Sequence, residues 1–380
     1  MNQKLLVVCL LVALFASRMS ESKIIQLNCL TSLKYQLEKA PWGATMESPG
    51  NCEWIVAKTI YIKKPITIRG VHARLKIGVG KTVLMKVMAK GFKLYNFVFT
   101  GNQESVTQKQ RASLLHITRG GFRVRKGVVR NSSRDGITVY PNRQKPTVII
   151  GGEISDIEGH NNVRDVVSLS TAADGRIESR NILVENIKAF NCGVKGAVEV
   201  SDGVRAITIK KIFASRCRYG ISIQDHGRSK FEINRGISIS DLTVEYSRYG
   251  IVSETSDVDH SDISIARVTL RKCRTAMLLK NIRNLSVADV KVIDAPGSDS
   301  LVDVQRCSVL RVRKLDFVSG GPTRTAVKIA RSKDIAINGI KLSGRFKTFY
   351  GVTLVKNQIP SGLRVSNFNG RVETKKVIVV

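Results

Sequence analysis

The sequence predicts an all-β protein, a right-handed parallel β-helix of about 10 to 12 stacked coils with a short N-terminal capping helix. Three observations predict it. A short apolar strand recurs about every 25 residues from about residue 110 onward, other alternating strands lie between the recurrences, and no helical periodicity joins them. Parallel strands of an α/β fold need crossover helices, which this sequence does not supply. A sandwich would need no such period.

The recurring strand follows a small residue or an apolar one. It reads Gly136–Val139, Val166–Leu169, Ala197–Val200, Gly220–Ile223, Gly250–Ile251, Ala276–Leu279, Leu301–Val304, Ala326–Ile329 and Gly351–Leu354. Between these lie Ile207–Ile212, Ile237–Val244, Ile263–Leu270 and Ile335–Leu342, equally rich in β-branched residues. A coil built from such strands buries its Ile and Val inside and pairs its backbone with the coils above and below.

Ahead of the repeats, Ser32–Ala40 reads as one amphipathic helix with Ser32 as its cap. Pro41-Trp42-Gly43 then turns the chain, and Tyr61–Gly70 supplies a strand pair. In this order of parts the chain resembles the pectin-lyase-like superfamily of right-handed β-helices. The resemblance implies that the helix plugs the end of the coil stack. It covers nearly the whole chain and speaks to fold more than to chemistry.

Lys4, the apolar run Leu5–Ala16 and the small or polar residues Ser17–Ser22 read as a secretory signal peptide over residues 1–22. A single β-helix domain is expected from residue 23 to 380, secreted or periplasmic, monomeric and with no membrane contact after cleavage. Cys9 belongs to the leader, which leaves Cys29, Cys52, Cys192, Cys217, Cys273 and Cys307. Cys29 and Cys52 bracket one short segment and are the expected disulfide. Cys192 and Cys217 occupy similar places on neighbouring coils, either bridged or as stacked free thiols.

Lys and Arg number 62 against 30 Asp and Glu, a formal charge of +32 spread along the whole chain. Such a field captures polyanions. Secretion and the sparse aromatic residues favour an acidic polysaccharide as the partner and argue against nucleic acid.

Aligned two residues ahead of the recurring strand, one column reads Arg134, Arg164, Lys195, Arg218, Arg248, Arg274, Asp299, Arg324 and Phe349. Coils stack about 4.8 Å apart, so these cations form a ladder with a pitch close to one sugar of an extended polymer. Tyr219 and Tyr249 follow as a stacking platform for sugar rings. Thr138, Ser168, Glu199, Ser222 and Lys328 should point outward beside them. The longest loops follow the same strand: residues 140–147, 170–180, 224–235 and 254–262. They would wall a groove, and they carry Asp225, His226, Arg228, Asp259 and His260. His160 precedes Arg164 and Asp165. His72 and His116 read as structural.

Two chemistries compete for this groove. A uronate lyase must neutralise the substrate carboxylate and remove the adjacent C5 proton; Arg164, Lys195, Arg218, Tyr219, His226, His260 and Glu199 are the candidates for that work. Arg134, Arg228, Arg248, Arg274, Tyr249 and His160 are the candidates for binding substrate. Lyases of the superfamily often add calcium; no compact acidic cluster is evident here, so no cofactor and no metal are expected. A hydrolase needs paired carboxylates. Ser133-Arg134-Asp135-Gly136 is similar to the Asn-Thr-Asp-Gly segment of the polygalacturonase group, which marks Asp135. Asp165, however, is followed by Val166 where that group has a second Asp, and neither Gly-His-Gly nor Arg-Ile-Lys appears. The reading is a polysaccharide lyase. Its alternatives are a polygalacturonase-like hydrolase and a non-catalytic, adhesin-like glycan binder.

Overall fold

The computed structural model describes residues 23–141, 147–171, 177–255, 258–343, 348–355, 364–369 and 375–379. The segment read as a signal peptide, and parts of the predicted loops after Tyr140, Thr171 and Thr255, lie outside them. The chain is a right-handed parallel β-helix. Its strands form two continuous parallel sheets, one of 16 strands and one of 13 among the described residues.

The wider sheet runs through Phe122–Arg130, Ile149–His160, Ser179–Phe190, Arg205–Ser215, Arg235–Glu245 and His260–Arg271, each pairing in parallel with the next. Its register stacks Val124, Ile154, Val184, Ile209, Ile239 and Ile265 in one inward column, all buried. Near the middle of each strand the alternation breaks, with two outward residues in succession. There the backbone enters the left-handed region at Lys126, Asp156, Asn186, Lys211, Asp241 and Arg267. Asn and Asp tolerate that conformation best, and it bends each strand.

The narrower sheet holds the recurring strand. Ile137, Val167, Val198, Ile221, Ile251, Met277, Val302 and Val327 form its inward column. Thr138, Ser168, Glu199 and Ser222 stack on the opposite face, as the alternation requires. The coils begin earlier than the legible repeat, with Ile60–Ile62, Met85–Val87 and Leu115–Ile117 in the same sheet, so its strands number 13.

The cap forms as expected. Helix Leu33–Lys39 starts at Ser32, whose side chain accepts from the Tyr35 amide, and buries Leu33 and Leu37 over the first coils. Trp54 Nε1 donates to Thr31 O at 3.2 Å, and a disulfide joins Cys29 to Cys52. A second disulfide joins Cys192 to Cys217 across adjacent coils, whereas Cys273 and Cys307 are buried free thiols. No helix of the described residues is long and apolar enough to cross a membrane.

Candidate active site

A groove of about 690 Å³ lies over the outer face of the narrower sheet. Arg134, Asp135, Arg164, Glu199, His226 and Arg228, all singled out from the sequence, line it.

The groove floor rests on a buried ionic cluster. Arg164, only 22% exposed, places Nε 3.2 Å from Asp135 Oδ1 and a terminal nitrogen 3.3 Å from Glu199 Oε1. Asp165 Oδ1 accepts from the Gly196 amide at 3.0 Å and from the Tyr219 hydroxyl at 2.9 Å. Lys195 reaches Glu199 Oε2 at 3.1 Å, and Gln224 donates to the same oxygen. Asp135 accepts from Ser113 and Thr138.

Glycine at 196 makes this packing feasible, since a Cβ there would lie 2.1 Å from the Tyr219 ring. Burial, reinforced by Glu199 and Asp135, pushes the Asp165 carboxyl well above the usual range against the pull of Arg164 and Lys195. Burial also opposes the charge on Arg164, but Asp135, Glu199 and Asp165 outweigh it and hold the guanidinium protonated. The cluster is therefore close to self-neutralised, and its carboxylates are committed to internal partners.

At one end of the groove the arrangement opens toward solvent. Asp202, buried at the end of strand Gly196–Ser201, accepts from His226 Nδ1 at 2.6 Å, from Arg228 at 2.5 Å and from Ser170 Oγ at 2.7 Å. Burial raises this carboxyl, but those three bonds prevail and keep it below the ordinary range. The His226 side chain is 42% exposed, and its hydrogen bond to Asp202 raises its pKa against the effect of burial. Its loop is fixed by Glu232, fully buried, which accepts from the amides of His226 and Arg228 and from Arg228 Nε. With Nδ1 committed to Asp202, Nε2 is the nitrogen left to act in the groove.

The structure corrects several sequence expectations. Tyr219 is 1% exposed and serves the ionic cluster, so it offers no platform for a sugar. Glu199 faces outward from its sheet yet is covered by Arg164, Lys195 and Gln224. His260 is fully buried, accepts from the Asn234 amide at Nδ1, and has its pKa pushed down to about 4 by burial; it is structural. His160 lies on the wider sheet, paired with Glu158 and stacked on Phe190 at 5.0 Å. Arg218 pairs with Glu254, and Arg248 lies over the Tyr249 ring; with Arg274 they fall outside the groove lining. The ladder is real as a column, but only its first members serve the groove.

No family model matches the chain, and no curated protein matches it. Solved structures do. The chain is similar to the family 28 exopolygalacturonase of Yersinia enterocolitica, at 10% identity over 94% of this chain and 78% of that one, with a TM-score of 0.55. It is similar to the A-module of the Azotobacter vinelandii mannuronan C-5 epimerase AlgE4, at 12% identity over 89% of each chain and a TM-score of 0.55. It is also similar to the Streptococcus pneumoniae surface protein and adhesin PfbA, at 9% identity over 89% and 92% and a TM-score of 0.54. What this chain shares with them is the fold, a right-handed parallel β-helix.

Sequence reasoning missed Asp202, Lys81 and Arg111 and read His116 as structural, whereas all four line the groove. His116 was legible as the middle residue of Leu115–Ile117, and such a residue must face out. Asp202 carried no motif: its importance arises from His226 and Arg228 of the following coil, a contact that only the stacking register creates.

Proposed function

We propose that this is a secreted polysaccharide lyase that cleaves a uronate-containing chain by β-elimination in the groove of the narrower sheet. The observation that carries the reading is the Asp202–His226 pair at the groove, with Arg228 on the same carboxylate. Asp202 fixes the tautomer and orientation of the imidazole, so Nε2 can take a proton. Arg228 and the half-exposed Arg134 supply positive charge for the substrate carboxylate, which makes the neighbouring C5 proton more acidic. As that proton leaves, the C5–H electron pair forms a C4–C5 double bond and the C4–O bond breaks. The departing oxygen takes a proton from the imidazolium.

Hydrolysis is less well supported by the same residues. It needs two carboxyl groups free to act on either side of the scissile bond. Asp135, Asp165 and Glu199 are at most 2% exposed and are held by Arg164, Lys195, Tyr219 and neighbouring donors. The similar solved structures named for polygalacturonase and mannuronan epimerase activity support a uronate polymer as the substrate of this fold.

The test is to incubate the protein with polygalacturonate, alginate, hyaluronan, chondroitin sulfate and heparin. Ultraviolet absorbance of unsaturated uronate and new reducing ends are followed together. A rise in both supports the lyase and names its substrate. Reducing ends alone would replace elimination by hydrolysis, and silence in both despite salt-sensitive binding would leave a non-catalytic glycan binder.

A further inference from the structure

Beyond the groove, the turns that lead from the wider sheet into the narrower one bring a second set of cations together. Arg216, Tyr246 and Lys272 stack on successive coils, joined by backbone bonds from Arg216 N to Glu245 O and from Tyr246 N to Arg271 O. Two residues further along each turn, Arg218, Arg248 and Arg274 form a parallel column, with Tyr249 N bonded to Arg218 O and Thr275 N to Arg248 O. Arg216, Tyr246, Arg248, Lys272 and Arg274 are all exposed.

Between the two columns lies an open cleft of about 500 Å³. Among the described residues its lining contains Arg216, Arg218 and Arg248, the exposed Tyr246 and Val194, and no acidic side chain. The groove differs, since Asp135, Glu199 and Asp202 stand among its cations. Lys272 sits 5.0 Å from the Tyr246 ring centroid and Arg248 sits 5.2 Å from that of Tyr249, so both cations are held by aromatic faces.

We infer that this cleft is a second, non-catalytic binding site for a polyanionic glycan strand. Arg218 is neutralised by Glu254, but Arg216 and Arg248, on adjacent coils about 4.8 Å apart, have no acidic partner among the described residues and meet acidic groups of successive sugars, while the Tyr246 ring adds an aromatic contact beside Lys272. Close like charges repel without an anion between them, which gives the site a reason to be occupied. The inference does not rest on cleavage in the groove.

The test uses His226→Gln protein as the parent, so that no polymer is consumed during the measurement. End-labelled alginate and heparin oligosaccharides are titrated against it at several salt concentrations. Replacing Arg216, Tyr246 and Arg248 together by Ser is expected to weaken glycan binding about tenfold. A control lacking the exposed Arg306 and Arg331, an equal loss of charge, is expected to change it by no more than about twofold. Arg248→Gln alone, a minimal change that leaves the turn intact, should lose about threefold. Equal losses in the site variant and the control would overturn the inference, because the overall field would then hold the glycan. So would a single-stranded DNA of equal charge that binds as well and is weakened as much, because the cleft would then not be built for glycans.

Discussion

The hydroxyl of Tyr219 donates to Oδ1 of Asp165 at 2.9 Å, across the intervening Gly196, where neither side chain is more than 1% exposed. This bond ties three successive coils together beneath the groove. It also explains why a glycine, an acid and a tyrosine occupy equivalent turns of neighbouring repeats. Replacing Tyr219 by Phe keeps the ring in place and removes the hydroxyl. The variant is expected to remain folded and to lose about 1–2 kcal/mol in urea unfolding. Unchanged stability would mean that the bond contributes nothing.

Asp165 has a second expected signature. Its folded pKa is raised, so above the usual carboxylate range the native state retains a proton that the unfolded chain releases. Its contribution is therefore present at low pH and is lost as pH rises toward the folded value. Asp165→Asn should flatten that slope in stability measured from pH 4 upward. The substitution keeps both hydrogen bonds, which Oδ1 accepts, and changes only Oδ2, which makes no hydrogen bond and lies 3.9 Å from Arg164.

His260 should act in the opposite direction. Its pKa falls from 6.5 to about 4 through burial, so between those values the unfolded chain binds a proton that the folded chain excludes. The stability it supports is complete above pH 6.5 and is lost as pH falls toward 4. His260→Gln is expected to reduce this acid sensitivity while leaving the pH dependence of any polysaccharide cleavage unchanged. A shift in the cleavage profile would return His260 to the chemistry.

The coil architecture was legible because a parallel β-helix writes its period directly into sequence. The strands expected from Val166, Ala197 and Gly220 pair side by side, as Val167–Ser170, Gly196–Ser201 and Tyr219–Gln224. The outward face was legible for the same reason. Charge pairing was not, because residues distant in sequence meet only through stacking: Tyr219 looked like an exposed ring until Asp165, 54 positions earlier, was found beneath it. His226 and His260 looked equivalent, each preceded by Asp on a long loop. The fold turns one toward Asp202 and the groove and buries the other against Asn234.

If His226 is the base, cleavage should rise with pH along a limb above the ordinary histidine value of 6.5, because pairing with Asp202 raises its pKa. Asp202→Asn should move that limb to lower pH and reduce the maximal rate by about 100-fold, since both the partner charge and the fixed tautomer are lost. His226→Gln should reduce the rate by at least about 100-fold with a smaller effect on KM. A limb that stays in place in Asp202→Asn would assign the base elsewhere.

The most direct measurement of the central claim is mass spectrometry of the cleavage products formed in water enriched in heavy oxygen. Elimination breaks the C4–O bond without adding water, so the account predicts an unsaturated uronate at the new end and no label fixed by cleavage. One heavy oxygen incorporated per bond broken, with no unsaturated product, would contradict it and make the groove a hydrolase.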